Sequence, residues 1–137
     1  MNYWLLKTEP EGWSWEHQIK SGKKGAEWNG VRNFQATKNL KSMKLHDKCF
    51  FYHTGREKKI IGVVEVVKEH FIDKTDSTHK FASVMVKALY PLKRSVSLKE
   101  IKKNEDFRDF SLVKQSRLSV MKVDLKCWKK ICKMGKV

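Results

Sequence analysis

A chain of 137 residues with 40% hydrophobic content has material for one sizeable core, so a single domain spanning 1–137 is expected and long disordered tracts are excluded. It carries 30 Lys and Arg against 15 Asp and Glu, a net charge of +15, which favours polyanionic partners because these cations gain affinity by releasing counterions from phosphates. The lysines are spread along the whole chain, so charge alone does not separate a nucleic-acid partner from a compositional lysine bias.

Cys49, Cys127 and Cys132 contain no C-x-x-C pair, and an odd number argues against a disulfide framework. Cys49 lies in an apolar run and Cys132 on the apolar face of the last helix, so both are expected as buried thiols. Neither a metal nor a cofactor is expected. The start Met1-Asn2-Tyr3-Trp4 has no basic segment followed by a long apolar one, and no run approaches membrane-spanning length. The expectation is a soluble, reduced, intracellular monomer with no membrane partner, cytoplasmic if bacterial and nuclear if eukaryotic.

In chain order, Tyr3-Trp4-Leu5-Leu6 reads as a short buried strand that ends before the turn imposed by Pro10. Ser14 caps a helix over 15–20, stopped by Gly22. Trp13 and Trp15 flank that cap; core packing is expected of them, with one of the two able to line a cleft. A helical pattern runs from Val31 to Lys44, with Asn33, Ala36, Leu40 and Met43 on one face. Asp47 to Thr54 reads as a strand in which Cys49, Phe51 and His53 alternate against Phe50 and Tyr52. The nearly continuous apolar run 60–67 is a central strand buried on both faces, with Gly62 admitting close approach of another backbone.

After a polar loop at 73–80, Phe81 to Tyr90 is a strand closed by Pro91. Ser97-Leu98-Lys99-Glu100 is a capping box that starts a short helix. Gln115 to Met121 alternates as a strand, and Asp124 caps a last helix with Leu125, Trp128, Ile131 and Cys132 on one face. Five or so strands with short helices around them indicate an α+β domain built on a strongly bent sheet or small barrel.

Catalytic patterns are sparse. His17, His46, His53, His70 and His79 form no H-E-x-x-H pair, and there is no Gly-rich phosphate loop or G-x-S-x-G elbow. His53, beside Tyr52, could serve as an acid or base, but a neutral imidazole satisfied at a strand end explains it without a catalytic role.

Binding residues are better represented. A nucleobase is held by stacking on an aromatic while Asn, Gln or backbone groups read its edge and Arg or Lys takes the phosphate. Stacking is worth roughly 1–3 kcal/mol per base. The segment from Glu27 to Ala36 places Trp28, a tight Asn29-Gly30 turn, and Arg32, Asn33 and Gln35 where a helix should begin. Trp28 and Asn33 are the candidates for the base; Arg32 and the helix start are candidates for phosphate or for fastening the helix to the sheet. Tyr52, His53 and Arg117 join this set. Core packing competes for Trp28 and Tyr52, and solvation or a structural pair competes for Arg117.

The blocks Tyr3-Trp4-Leu5-Leu6-Lys7-Thr8-Glu9-Pro10, Trp13-Ser14-Trp15, Trp28-x-Gly30-Val31-Arg32-Asn33-x-Gln35-Ala36, Phe50-Phe51-Tyr52-His53-Thr54-Gly55, Ile61-Gly62-Val63-Val64-Glu65-Val66 and Gln115-Ser116-Arg117-Leu118-Ser119-Val120 resemble the EVE domain. They stand in family order and cover nearly the whole chain. The resemblance implies a PUA-like pseudo-barrel, akin to YTH and ASCH domains, that binds modified bases in DNA or RNA through an aromatic-lined pocket without catalysis. By block position it implies pocket roles for Trp28, Asn33, Tyr52, Arg117 and Ser119, with Lys7 and Thr8 at the rim. Thr37 departs from the Arg frequent after the Gln-Ala pair, and Phe81 from a common Trp. Two alternatives stand beside this expectation. One is a nucleic-acid- or nucleoside-processing enzyme using His53 or Glu65. The other is an RNA-binding accessory protein indifferent to modification, marked by a steep salt dependence.

Overall fold

The computed structural model describes all 137 residues. Six strands form one mixed sheet: β1 (Tyr3–Thr8), β2 (Ala26–Trp28), β3 (Lys48–His53), β4 (Lys59–Ile72), β5 (Ala82–Ser97) and β6 (Val120–Val123), in the spatial order β2-β5-β4-β3-β1-β6. Only β1 and β3 run parallel; the other pairs are antiparallel. The long β4–β5 hairpin carries four register shifts, and such bulges increase local twist, which curls the sheet toward a pseudo-barrel whose end strands, β2 and β6, do not pair with each other. This α+β architecture is the one expected from the sequence.

Five short helices surround the sheet: α1 (Trp15–Lys20), α2 (Phe34–Ser42), α3 (Leu98–Lys102), α4 (Ser111–Lys114) and α5 (Leu125–Met134). Their starts follow the caps legible in the sequence. Ser14 accepts from His17 N–H, Ser97 and Glu100 form a reciprocal capping box, and Asp124 accepts from Cys127 N–H at 2.8 Å.

Both faces of β3 are buried, and they carry different partners. On one face Phe50 stacks on Trp128 of α5 at 3.9 Å, and Trp128 in turn stacks on Tyr3 at 4.4 Å. On the other, Phe51 meets the rings of Trp15 and Trp28 edge-on at 5.2 and 5.7 Å. Successive strand residues point to opposite faces, so Tyr52 belongs with Phe50, and His53 with Phe51.

Four local expectations are corrected. The helix expected from Val31 begins at Phe34, because Asn33 is its N-cap and is exposed instead of joining the apolar face. β5 does not close at Pro91 but continues to Ser97: Pro91 sits opposite Gly62 beside a bulge, where a proline's missing N–H is tolerated. Residues 115–119 form a turn closed by Leu118 N–H to Gln115 O at 3.1 Å, and the strand proper is β6. Gly62 accommodates a side chain, not a backbone: a Cβ there would lie 2.6 Å from the Trp15 ring. Since Trp15 is itself wedged against Phe51, Gly62→Ala is expected to cost about 1–3 kcal/mol through overpacking, measured as a lower midpoint in urea unfolding.

Candidate nucleic-acid interface

At the C-terminal end of β1 the chain turns away from the sheet, and β2 with its following turn stands opposite. Between them lies an open cleft of about 640 Å³, lined by Lys7, Thr8, Glu9, Gly12 and Trp13 on one side, residues 26–32 on the other, and Ser119 at the lip. Ser119 is placed by its carbonyl, which accepts Lys7 N–H at 2.9 Å.

The walls are braced by hydrogen bonds. Thr8 Oγ1 donates to Trp13 O at 2.9 Å, and Trp13 Nε1 donates to Gln18 Oε1 at 2.9 Å. Gln18 is buried and anchored through Nε2 to Val86 O at 3.0 Å. Trp13 thus presents a partly exposed indole held at both ends of its polar framework. Trp28 is only 7% exposed, so a narrow part of its indole meets the cleft and the rest packs on Phe51.

The far wall depends on Asp73. Its buried carboxylate accepts Gly30 N–H at 2.8 Å, Arg32 Nη1 at 2.9 Å, and both the N–H and hydroxyl of Thr75. Burial works to raise its pKa, but the bonds from Thr75, Arg32 and Gly30 outweigh it and hold the carboxyl at about 2. Gly30 has φ +79°, a conformation that favours glycine, so the turn between β2 and α2 requires this residue. Arg32 also donates to Thr75 Oγ1 at 2.9 Å and lies over the Phe81 ring, which stacks on Phe34 at 5.0 Å. Fastening of the α2 segment to the sheet is the role these contacts give Arg32. Thr37, where the family pattern suggests Arg, is buried and accepts Ala82 N–H at 2.8 Å, tying α2 to β5.

Of the residues singled out in the sequence, Lys7, Thr8, Trp28, Arg32 and Ser119 converge on this cleft. Asn33, Gln35 and Arg117 do not; they line a separate shallow depression. The Asn33 side-chain oxygen accepts Ala36 N–H at 2.9 Å as the cap of α2, and the residue stands outside the cleft. Tyr52 lies on the sheet face opposite Phe51 and Trp28 and lines a third groove, where burial pushes its phenol up to about 12. His53 is buried with both ring nitrogens engaged: Nε2 accepts Trp15 N–H at 3.1 Å, so Nδ1 carries the proton toward Glu57 Oε1 at 3.1 Å. That is the satisfied strand-end histidine of the sequence reading.

Trp13, Glu9 and Asn29 also line the cleft; Trp13 is the one of the two tryptophans flanking Ser14 that does so. The lining holds two carboxylates, Glu9 and Glu27, as well as Lys7 and Arg32. Burial lowers the Lys7 pKa, the usual effect on an ammonium partly withdrawn from water. The set offers hydroxyl and amide hydrogen-bonding groups beside indole surface, which suits a flat polar ligand. No group of three His, Cys, Asp or Glu side chains is arranged to hold a metal, and no helix is long and apolar enough to cross a membrane.

Comparison with known proteins gives a consistent picture. The chain is 34% identical over 125 residues to mouse thymocyte nuclear protein 1, covering 74% of this chain and 55% of that protein, so it spans about half the length of the curated relatives it matches. Its structure superposes on protein Atu2648 from Agrobacterium tumefaciens with a TM-score of 0.96 at 41% identity, covering 100% of this chain and 94% of that one. The human THYN1 protein, solved in complex with DNA containing 5-methylcytosine, matches with a TM-score of 0.91 at 27% identity, covering 100% and 99% of the two chains. A YTH domain from Zygosaccharomyces rouxii, at 19% identity and a TM-score of 0.58 over 99% of this chain and 85% of that one, shares the PUA-like fold alone. The sequence profile of the EVE domain matches residues 2–134, and the chain belongs to the EVE domain family.

Proposed function

We propose that this domain binds nucleic acid and reads a modified base without catalysing a reaction, receiving the base in the cleft between Trp13 and Trp28. The observation that supports the reading is a cleft lined by the partly exposed Trp13, a narrow part of Trp28 and several hydrogen-bonding groups, on the fold of a relative solved with DNA containing 5-methylcytosine. Trp13 supplies a stacking surface on the part of its ring not covered by His17, which stacks on it at 5.4 Å, and its indole N–H is already satisfied. The Ser119 hydroxyl and the Asn29 amide would meet a base edge, with Thr8, whose hydroxyl donates to Trp13 O, available as an acceptor, and Lys7 would meet a phosphate leaving the cleft.

A buried methyl group is worth about 0.8 kcal/mol, or roughly fourfold in affinity, so a preference of that order is expected if the methyl meets Val31 and Trp28. The test is a titration of oligonucleotides containing 5-methylcytosine or cytosine, with wild type and Trp13→Ala. The substitution is expected to weaken binding by about 1–3 kcal/mol and to abolish the preference while the thermal transition persists. Equal affinity for both oligonucleotides, unchanged by Trp13→Ala, would overturn the reading in favour of modification-independent binding.

A further inference from the structure

We propose that the nucleic-acid backbone leaving the base cleft passes over Lys7 onto a phosphate track made by Arg56, Lys58, Lys99, Lys102 and Lys103; this rests on the reading of the cleft given above. The track lies where the β3–β4 turn meets α3. Leu98 N–H donates to Lys58 O at 2.8 Å and Lys59 pairs with Ser97, so turn and helix are stitched together. Lys58 adopts φ +45°, a left-handed conformation uncommon for a residue with a Cβ, and the stitch holds it there.

Two adjoining grooves result. One, of about 270 Å³, is lined by Lys7, Tyr52, Lys58 and Lys102 among others; the second, of about 570 Å³, contains all five track cations. Lys58, Leu98 and Lys102 line both. Lys7 joins them to the base cleft, because it lines that cleft as well as the first groove. Its ammonium donates to Ser116 O at 3.0 Å and lies 5.7 Å from the Tyr52 ring, which fixes it at the junction.

None of the five track cations takes part in an ion pair. The one carboxylate in these linings, Glu57, faces His53, and neighbouring Glu100 is occupied by Arg94 and by the α3 cap. Lys99 also stands three and four residues from Lys102 and Lys103 on one short helical stretch, a like-charge spacing that opposes folding. Unpaired cations held together along two adjoining grooves, the first of which shares Lys7 with the cleft, fit the regularly spaced charges of a phosphodiester backbone, single- or double-stranded.

The experiment measures affinity for an oligonucleotide bearing 5-methylcytosine, as single strand and as duplex, over a range of salt concentrations. Wild type is compared with Lys58→Gln/Lys99→Gln/Lys102→Gln and with Lys126→Gln/Lys129→Gln/Lys133→Gln, which removes equal charge from exposed positions on α5 outside these grooves. The track variant is expected to reduce the slope of log K against log salt by about 2–3 for duplex and by about 2 for single strand, with the preference for the modified base retained. The α5 variant is expected to change the slope by less than about 1. Equal slope changes in the two variants, or none in the track variant, would overturn the track. Loss of base preference in wild type with the slope difference intact would overturn the cleft reading and leave the track standing.

Discussion

Trp28→Ala is expected to destabilise the domain by about 3–5 kcal/mol, the range for removing a buried aromatic from a core. The indole is 7% exposed, packs edge-to-face on Phe51 at 5.7 Å, and belongs to the edge strand β2, whose one strand partner is β5. A three-residue strand contributes few ladder bonds, so the tryptophan is what seats it. Trp28→Phe keeps most of that contact and is expected to cost about 1–2 kcal/mol. Urea unfolding of the two variants, followed by circular dichroism, checks both values. A loss below about 1 kcal/mol for Trp28→Ala would make the residue a cleft wall with a free face and would remove its structural role. Trp13→Ala, by contrast, removes a ring already partly in solvent, which is why it is the better probe of binding.

Asp73→Ala is expected to cost about 2–4 kcal/mol and to free the Asn29-Gly30 turn, since the carboxylate receives charge-assisted bonds from Arg32 along with Gly30 and Thr75. Binding should fall with it, because residues 29–32 form one wall of the cleft. The pH dependence has a definite sign. The folded-state value of about 2 lies below the ordinary carboxylate value near 3.9, so the stabilisation is complete above about pH 4 and disappears as pH falls toward 2. Asp76, in the same loop, is also held low, chiefly by the Thr78 hydroxyl, and adds to the same acid limb. Melting temperatures of wild type and Asp73→Asn between pH 2 and pH 7 test this: the variant should start lower at neutral pH and lose less on acidification. An acid limb of unchanged steepness in Asp73→Asn would show that Asp73 does not drive it.

Much of the fold was legible from local chemistry. The alternation in 49–53 placed Phe51 and His53 on one face and Phe50 and Tyr52 on the other, and both faces are buried as that pattern with aromatic bulk requires. The capping residues Ser14, Ser97 and Asp124 announced their helices because a cap is satisfied within three residues. The same locality explains the errors. β2 is too short to show a period, α4 has one turn, and six alternating residues at 115–120 satisfy a strand template although the chain turns there.

The sequence by itself determined the family, the α+β class, the basic surface and the aromatic composition from which a base site could be assembled. Only the tertiary structure decided which of the candidate residues share a cleft. Lys7 meets the 116–119 turn across 109 residues, and Arg32 meets Asp73 across 41. Trp28 packs on Phe51, and Tyr52, the next residue of β3, points to the opposite face of the sheet. Asn33 caps its own helix through its side-chain oxygen and lines a separate depression, and Trp13 takes up the cleft position that its short-range pattern left undecided between core and surface. Periodicity and caps act over a few residues and are visible in the chain. Convergence of a site depends on strand pairing and register between distant segments, where a one-residue change reverses the face a side chain occupies.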